Sequence, residues 1–494
     1  MLERWARCRD AAEGQDAIHA AGPAYLPMLS EQSKSEYDAY KTRASFYNAT
    51  WRTISGLQGM IFRKPAIAVF PAVVEPMMAD VSLAGEPLHM FALGVVEECL
   101  MVGRVGVFVD YPIVDLLHTT AADAALHRLR PTLKQYKAES IINWRTSVVR
   151  NATALSRVVL LEDVEVAKSE FESESAVQYR VLDLAPATNA AGVTQQVYRV
   201  RVFVIDPATK EDRQIGDDLL PLVKGEPLDF IPFYFIGVDS NSPEADAPPL
   251  IDLVDINLSH YRTNADYEHG CHFTGLPTPV VSGYTVDTAN PAGAEKFEIG
   301  STTAWVFPRP DAKAFFLEFT GQGLKSLEHN LDRKETQMAV LGARMLENKL
   351  NTGESGNSTA INLGGEQSTL ASIAQAVSLG LQGALSTFAK FAGSAEPVKY
   401  SLNKDFFPNT MDPLRLTALV ASWQNGAISY DTLFKNLQRG EVVDIDQSIA
   451  KELNGMNLHK PEIPGGTKVN QDNAPRHEIT APANPTSRQL QTPN

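Results

Sequence analysis

Two long helical patterns flank a stretch that cannot be helical, and this arrangement limits the fold more than any other feature. Leu253, Val254, Asn257, Leu258, Tyr261 and Ala265 put one face on a helix from Leu250 to Gly270. Leu324, Leu327, Leu331, Lys334, Met338, Leu341 and Met345 step alternately by three and four between Gly323 and Leu346. That is a heptad seam with one charged interruption. At about 1.5 Å per residue this second helix spans about 36 Å. Between the two, Pro277, Pro279, Gly283, Pro291, Gly293, Pro308 and Pro310 punctuate residues 271–320, which read as a small insertion of short strands. Such a chain sends out one helix, makes a β-rich excursion and returns on another.

A third helix follows. Leu370, Ile373, Val377, Leu381, Ala384, Phe388 and Phe391 keep the helical spacing, and from Glu366 to Ala392 only Glu366 and Lys390 are charged. Burial on most sides is predicted, with Ala374, Gly380, Gly383 and Ala384 allowing close helix approach. Between the second and third helices, residues 347–365 hold four glycines with several Asn, Ser and Thr. A loop of that length inside a packed region is usually functional.

The preceding half reads as an α/β body. Residues 1–64 are helical, and Tyr37, Tyr40, Ala44, Tyr47, Trp51, Ile54 and Gln58 form one stripe within Ser35 to Met60. A helical pattern from Pro87 leads into GRVGVFVDYP at 103–112, whose run Val105 to Val109 is a buried strand. Gly103 and Gly106 precede and sit in that strand, so a tight turn fits them better than a phosphate loop. Residues 155–237 read as a meander containing Val158 to Leu161, Tyr198 to Ile205 and Phe230 to Ile236. Beyond the third helix, 396–410 is extended and 412–458 holds short helices, with Ser429 capping one that Gly440 stops. Residues 460–494 carry six prolines and four aliphatic side chains, too few for a core.

Charge and composition exclude several classes. The chain has 494 residues, 44% hydrophobic, with a formal charge of −15. That much apolar content excludes wholesale disorder, and the acidity argues against a protein that grips nucleic acid over its whole surface. No apolar stretch reaches the length of a membrane span. Arg4, Arg7, Arg9 and Asp10 leave no room for a targeting signal at the start. Cys8, Cys99 and Cys271 read as free thiols.

The charge is uneven. Residues 1–64 hold nine bases against seven acids, whereas Asp206 to Asp246 holds ten acids against three bases. Asp217, Asp218 and Asp239 raise a metal hypothesis, but no spacing matches a calcium loop, and a solvated acidic surface fits better. His269, Cys271 and His272 raise a zinc hypothesis without a fourth ligand at the usual spacing. A structural role at a packed turn is the preferred reading. The chain has no Walker motif, His-Glu-x-x-His, Gly-x-Ser-x-Gly or paired cysteine motif, so no catalytic residue, metal or cofactor is assigned and a non-enzyme is expected.

Several stretches together resemble a known family. They are YLPMLSEQSKSEYDAYKTRASFYNATWRTISGLQGMIFRKP at 25–65, GRVGVFVDYP at 103–112, SIINWR at 140–145 and LIDLVDINLSHYRTNADYEHGCHFTGLPTPVVSG at 250–283. NLDRKETQMAVLGARML at 330–346 and GESGNSTAINLGGEQSTLASIA at 353–374 complete the set. In this order they resemble tailed-bacteriophage portal proteins, in the DUF4055 portal-like family. The resemblance implies an α+β fold of portal architecture: α/β wing, helical stem, small β-rich clip, long wing helix and helical crown. It divides the chain into wing (1–249), stem helix (250–270), clip (271–319), stem helix (320–346), tunnel loop (347–365), wing again (366–410), crown (411–459) and a C-terminal extension (460–494).

The implied function is that of a ring-forming subunit at one capsid vertex, usually about twelve per ring. Such a ring makes the DNA channel for packaging and ejection. The implied partners are double-stranded DNA, the terminase large subunit, a head-completion or adaptor protein, and the major capsid and scaffolding proteins. The implied location is the virion, after assembly in the host cytoplasm, with no membrane. Lys349, Asn351, Asn357, Ser358 and Arg344 would face the channel near the tunnel loop, with Lys349 and Arg344 offering transient phosphate contacts. Leu324, Leu327, Leu331, Met338, Leu341 and Met345 would form the stem seam. The alternatives are a metal-dependent hydrolase using the acids between Asp206 and Asp246, and a capsid-associated scaffold that forms no ring.

Overall fold

The computed structural model describes residues 1–111, 129–149, 151–188, 194–205, 211–223, 225–275, 278–282, 313–317, 322–346, 368–406, 413–443 and 447–450. The chain divides into two compact units, Met1–Phe407 and Pro408–Asn494. The class is α+β.

Helices α1 (Leu2–Glu13), α2 (Gln15–Ala21), α3 (Lys34–Arg43) and α4 (Ala49–Ile61) open the first unit. The stripe expected on one helix from Ser35 to Met60 is therefore split. Asn48 causes the break: its Oδ1 accepts from the Trp51 amide at 2.8 Å, starting α4 afresh, and its Nδ2 donates to the Ala12 carbonyl at 3.0 Å. Tyr37, Tyr40, Ala44 and Ile54 stay buried, but Tyr47 and Trp51 are 47% and 40% exposed. A capping box between Ser33 and Glu36 starts α3.

Strand β1 (Ile67–Val69) and helix α5 (Leu88–Val102) lead to β2 (Arg104–Asp110). Gly103 turns between them in the left-handed region, φ 81°, where a Cβ would lie 2.8 Å from the Ala247 carbonyl oxygen. Only glycine fits that turn without strain. Strands β3 (Thr132–Lys137), β4 (Ile141–Val149), β5 (Ala152–Ala167), β6 (Ser173–Thr188), β7 (Thr194–Ile205) and β8 (Asp212–Leu219) follow. After the short antiparallel pair β9 (Leu222–Val223) and β10 (Glu226–Pro227) comes β11 (Phe233–Gly237).

The meander exists, but it runs β4-β5-β6-β7-β8. The run Phe230 to Ile236 lies outside it: β11 pairs antiparallel with β2, Phe233 opposite Phe108, in a sheet ordered β11-β2-β3. Burial gives the reason. Phe233, Phe235, Ile236 and Gly237 are buried, as suits a strand in the core, whereas the meander strands bury chiefly one face through Val158, Leu160, Leu182, Tyr198 and Val200. Arg104 ties the two sheets together. Its side chain is buried, with the guanidinium 4.2 Å from the Trp144 ring and 4.5 Å from the Phe235 ring. Burial lowers its pKa to about 10, against the opposing charge of Asp246.

Helix α6 (Ile251–Gly275), the hairpin β12 (Thr278–Ser282) and β13 (Lys313–Leu317), and helix α7 (Gln322–Arg344) come next. Helix α8 (Thr369–Phe391) begins at a Ser368 cap. The third apolar stripe is its buried face: Leu370, Ile373, Val377, Leu381, Ala384 and Phe388 are each inaccessible. Gly380 and Gly383 serve a strand rather than a helix. A Cβ at either would meet Ile236 at 2.5 Å or Tyr234 at 2.9 Å, so α8 lies close on β11. Strand β14 (Lys399–Ser401) pairs antiparallel with β1.

The second unit contains α9 (Pro413–Gln424) and α10 (Tyr430–Arg439). Ser429 caps α10 by accepting from the Thr432 amide at 3.2 Å, and Gly440 follows its last turn. No helix among the described residues is long and apolar enough to cross a membrane. The tail 460–494 lies outside the described residues.

Candidate functional site

The candidate site is the α6–α7 pair and its anchorage. Every residue expected on the α6 face is buried: Leu253, Val254, Asn257, Leu258, Tyr261 and Ala265. The helix does not stop at Gly270, as its glycine suggests, but continues to Gly275. Gly270 is a packing residue, since a Cβ there would come within 2.6 Å of Leu324 Cδ2 on α7.

Helix α7 returns antiparallel along α6. Gly270 meets Leu324 near the hairpin end. Further along, Lys334 Nζ donates to the Ser259 carbonyl at 2.9 Å and to Thr263 Oγ1. His260 Nε2 lies 3.4 Å from Glu335 Oε1. Met338 packs with Leu253 and Ala49. The charged interruption of the heptad thus has a structural use, because Lys334 hydrogen-bonds across the pair. Burial lowers its pKa, and Arg262 adds to the effect. Burial also lowers the pKa of His260, against the raising effect of Glu335. Of the seam, Leu331, Met338 and Met345 are buried, while Leu324, Leu327 and Leu341 are half-buried.

The N-terminal helices grip the other side of α6. Asn257 Oδ1 accepts from the Thr50 amide at 3.1 Å and the Thr50 hydroxyl at 2.9 Å, and its Nδ2 donates to the Tyr47 carbonyl at 2.8 Å. Tyr40 donates to Asp266 Oδ1 at 2.7 Å, and Asn264 donates to the Ser45 carbonyl at 3.0 Å. The motifs at 25–65 and 250–283 therefore meet in space. Sequence reasoning missed this partnership, although Asn257 on an otherwise apolar face was a signal for it.

His269 lies within α6, not at a turn, which corrects the packed-turn placement. Its ring packs edge-on against Tyr40 and Phe273, with centroids at 5.1 Å and 4.7 Å, and Arg43 Nη2 lies 3.2 Å from its Nδ1. Burial lowers its pKa, as do the charges of Arg43 and His272. Two acids of 206–246 have separate structural partners. Asp218 accepts from Arg199 Nη1 at 2.7 Å, and Asp246 Oδ2 accepts from the amides of Val238 and Asp239 at 2.9 Å and 3.0 Å. Among the described residues no group of three or more His, Cys, Asp or Glu could hold a metal ion.

Arg344 is exposed in the last turn of α7. Lys349, Asn351, Asn357 and Ser358 lie outside the described residues, as does most of 271–319. The arrangement therefore defines a helix–hairpin–helix unit on an α/β body, with buried polar anchors.

That unit falls within a recognised family segment. Residues 249–392, which hold α6, the hairpin, α7 and α8, match the family described as "Domain of unknown function (DUF4055)". No curated protein matches the chain. Among solved structures it is similar to a chain in the neck of an empty GTA particle computed with C6 symmetry, at 9% identity and TM-score 0.38, covering 82% of this chain and 92% of that one. A chain in the virion of a native gene transfer agent particle matches at 9% identity and TM-score 0.37, covering 89% and 98%. The neck of the native GTA particle computed with C12 symmetry matches at 9% identity and TM-score 0.36, covering 86% and 98%.

Proposed function

We propose that this chain is the portal-type subunit of a phage-like particle. Copies close into a ring at one capsid vertex and surround the channel through which the genome enters and leaves. The observation that carries this reading is the antiparallel α6–α7 pair, which leads into a β-hairpin at one end, is anchored along α6 by the N-terminal helices, and lies inside the segment that matches DUF4055. In that frame residues 1–249 and 366–410 are wing, 250–270 and 320–346 are stem, 271–319 is clip, 347–365 is tunnel loop and 411–459 is crown.

The physical logic is that of a conduit. Ring closure is head-to-tail association completed by rotation, and the half-buried Leu324, Leu327 and Leu341 give the stem apolar area for neighbours. A net charge of −15 per chain repels the duplex from the wall. Local cations such as Arg344 and Lys349 supply brief phosphate contacts. The chain carries no nucleotide motif, in keeping with a separate terminase that supplies the work. Its other partners are the head-completion protein at the clip and the capsid shell around the wing, which puts the protein in the virion.

Electron microscopy of the purified chain tests this. Closed rings with a central hole on the order of 20–40 Å, wide enough for a duplex, are expected. Persistent monomers at high concentration, with and without capsid and scaffolding proteins, would refute it.

A further inference from the structure

We infer that the outer face of the β4–β8 sheet receives the β5–β6 hairpin tip of a second copy of this chain. The inference deepens the ring-forming reading above and rests on it.

The tip is built to be received. Phe171 is 94% exposed, the most exposed large apolar side chain among the described residues. It sits between Glu170 and Glu172, and from Asp163 to Glu174 five acids accompany one lysine. The turn is fixed. Lys168 and Ser169 donate from their amides to the Glu172 carbonyl at 2.9 Å and 3.1 Å, and Ser169 Oγ accepts from the Phe171 and Glu172 amides at 3.2 Å and 3.1 Å. An ordered tip loses little freedom on docking.

The receiving face has the opposite character. A groove of about 350 Å³ runs over Val159, Tyr179, Val181 and Phe203, with Arg157 and Arg201 among its lining residues. Across the strands Arg145 stands opposite Arg157, Arg157 opposite Asp183, and Asp183 opposite Arg199. Like charges directly opposite each other destabilise a strand pair, so the Arg145–Arg157 pairing gains from an anion brought to it. Asp183 is the shared acceptor for Arg157, Arg199 and Arg201, at 3.4, 3.0 and 2.7 Å. Around the groove end of the sheet, Arg145, Arg157, Arg199 and Arg201 meet Asp183, Asp212 and Asp218, so that end is locally positive in a chain of −15, while Asp163 and Glu165 lie toward the tip on the same face. An apolar ring flanked by carboxylates matches an apolar groove flanked by guanidiniums.

The tip cannot fill its own groove. Val159 and Ala167 lie on the same strand, eight residues and roughly 26 Å apart. The contact is therefore between copies and uses a different patch on each, which is the head-to-tail geometry that ring closure needs.

The test compares wild type, Phe171→Ser, Val159→Glu and Tyr179→Ala by sedimentation velocity over a dilution series, with circular dichroism to verify folding. Each variant is expected to raise the concentration needed for assembly by roughly tenfold or more. A mixture of Phe171→Ser with either groove variant restores one intact tip and one intact groove, so it is expected to form dimers that grow no further. If Phe171→Ser assembles like wild type, or the mixtures give no dimers although each variant alone has lost assembly, this inference fails and the ring reading stands. A wild-type chain that stays monomeric throughout overturns both.

Discussion

Replacing Asn257 with Leu tests whether α6 is anchored as described. Asn257 is fully buried and joins α6 to the start of α4 through three hydrogen bonds. Leu keeps the branched side-chain skeleton and is bulkier, so the change leaves no cavity and the polar loss is the cost worked out here. The Thr50 amide lies in the first turn of α4, where no intrahelical acceptor exists. It and the Thr50 hydroxyl would be stranded. The Tyr47 carbonyl would keep its other donor, the Ala49 amide at 2.8 Å. Two stranded donors at about 1–3 kcal/mol each, less the gain from burying an apolar side chain, put the net loss at about 2–3 kcal/mol. Urea denaturation read by linear extrapolation measures it. Adding Thr50→Val removes one stranded hydroxyl, so the double variant should recover about 1 kcal/mol relative to the sum of the singles. A loss below about 0.5 kcal/mol for Asn257→Leu, or strict additivity in the cycle, would refute the anchoring argument.

Three further outcomes are expected. Gly103→Ala places a Cβ at φ 81° and 2.8 Å from the Ala247 carbonyl oxygen, and should cost at least about 2 kcal/mol; thermal melts unchanged from wild type would contradict this. Burial pushes the Asp183 carboxyl up, but the hydrogen bond from Arg199 and the charge of Arg201 outweigh it and hold the pKa below the usual value. Arg180 does the same for Glu162. Their stabilisation is therefore complete above the ordinary carboxylate range and is lost as pH falls below about 4. Asp183→Asn should be less stable at neutral pH and show a shallower loss in acid, and an unchanged acid slope would count against the network. Finally, Lys349→Glu should impair DNA packaging while rings still assemble; normal packaging by such rings would remove Lys349 from any essential contact with DNA.

The buried acidic and basic groups show why parts of this protein were opaque to a linear reading. Residue spacing predicts that Arg157 and Arg199 lie on strands, but not that both turn to Asp183. Spacing likewise made Gly270 a helix end, because a lone glycine near a helix boundary usually is one. The crossing of Leu324 makes it a point of close approach instead. Local periodicity places Phe230 to Ile236 in the nearest meander, because it carries no information about which sheet a strand joins. Burial of Phe233, Phe235 and Ile236 sends it to the core beside β2.

The sequence by itself determined the elements whose signals are local: the heptad of α7, the apolar face of α6, the almost uncharged α8, and the Ser429 cap of α10. Periodicity of 3.6 or 2 and capping chemistry act within a few residues, so they survive in one dimension. Only the tertiary structure decided what those faces meet. It put α4 beside Asn257, Lys334 beside Ser259, β11 beside β2, and Phe171 at the tip of a hairpin far from the groove on its own sheet. Those pairings join residues up to about two hundred positions apart, and long-range contacts are selected by shape and buried polar satisfaction that no local pattern encodes.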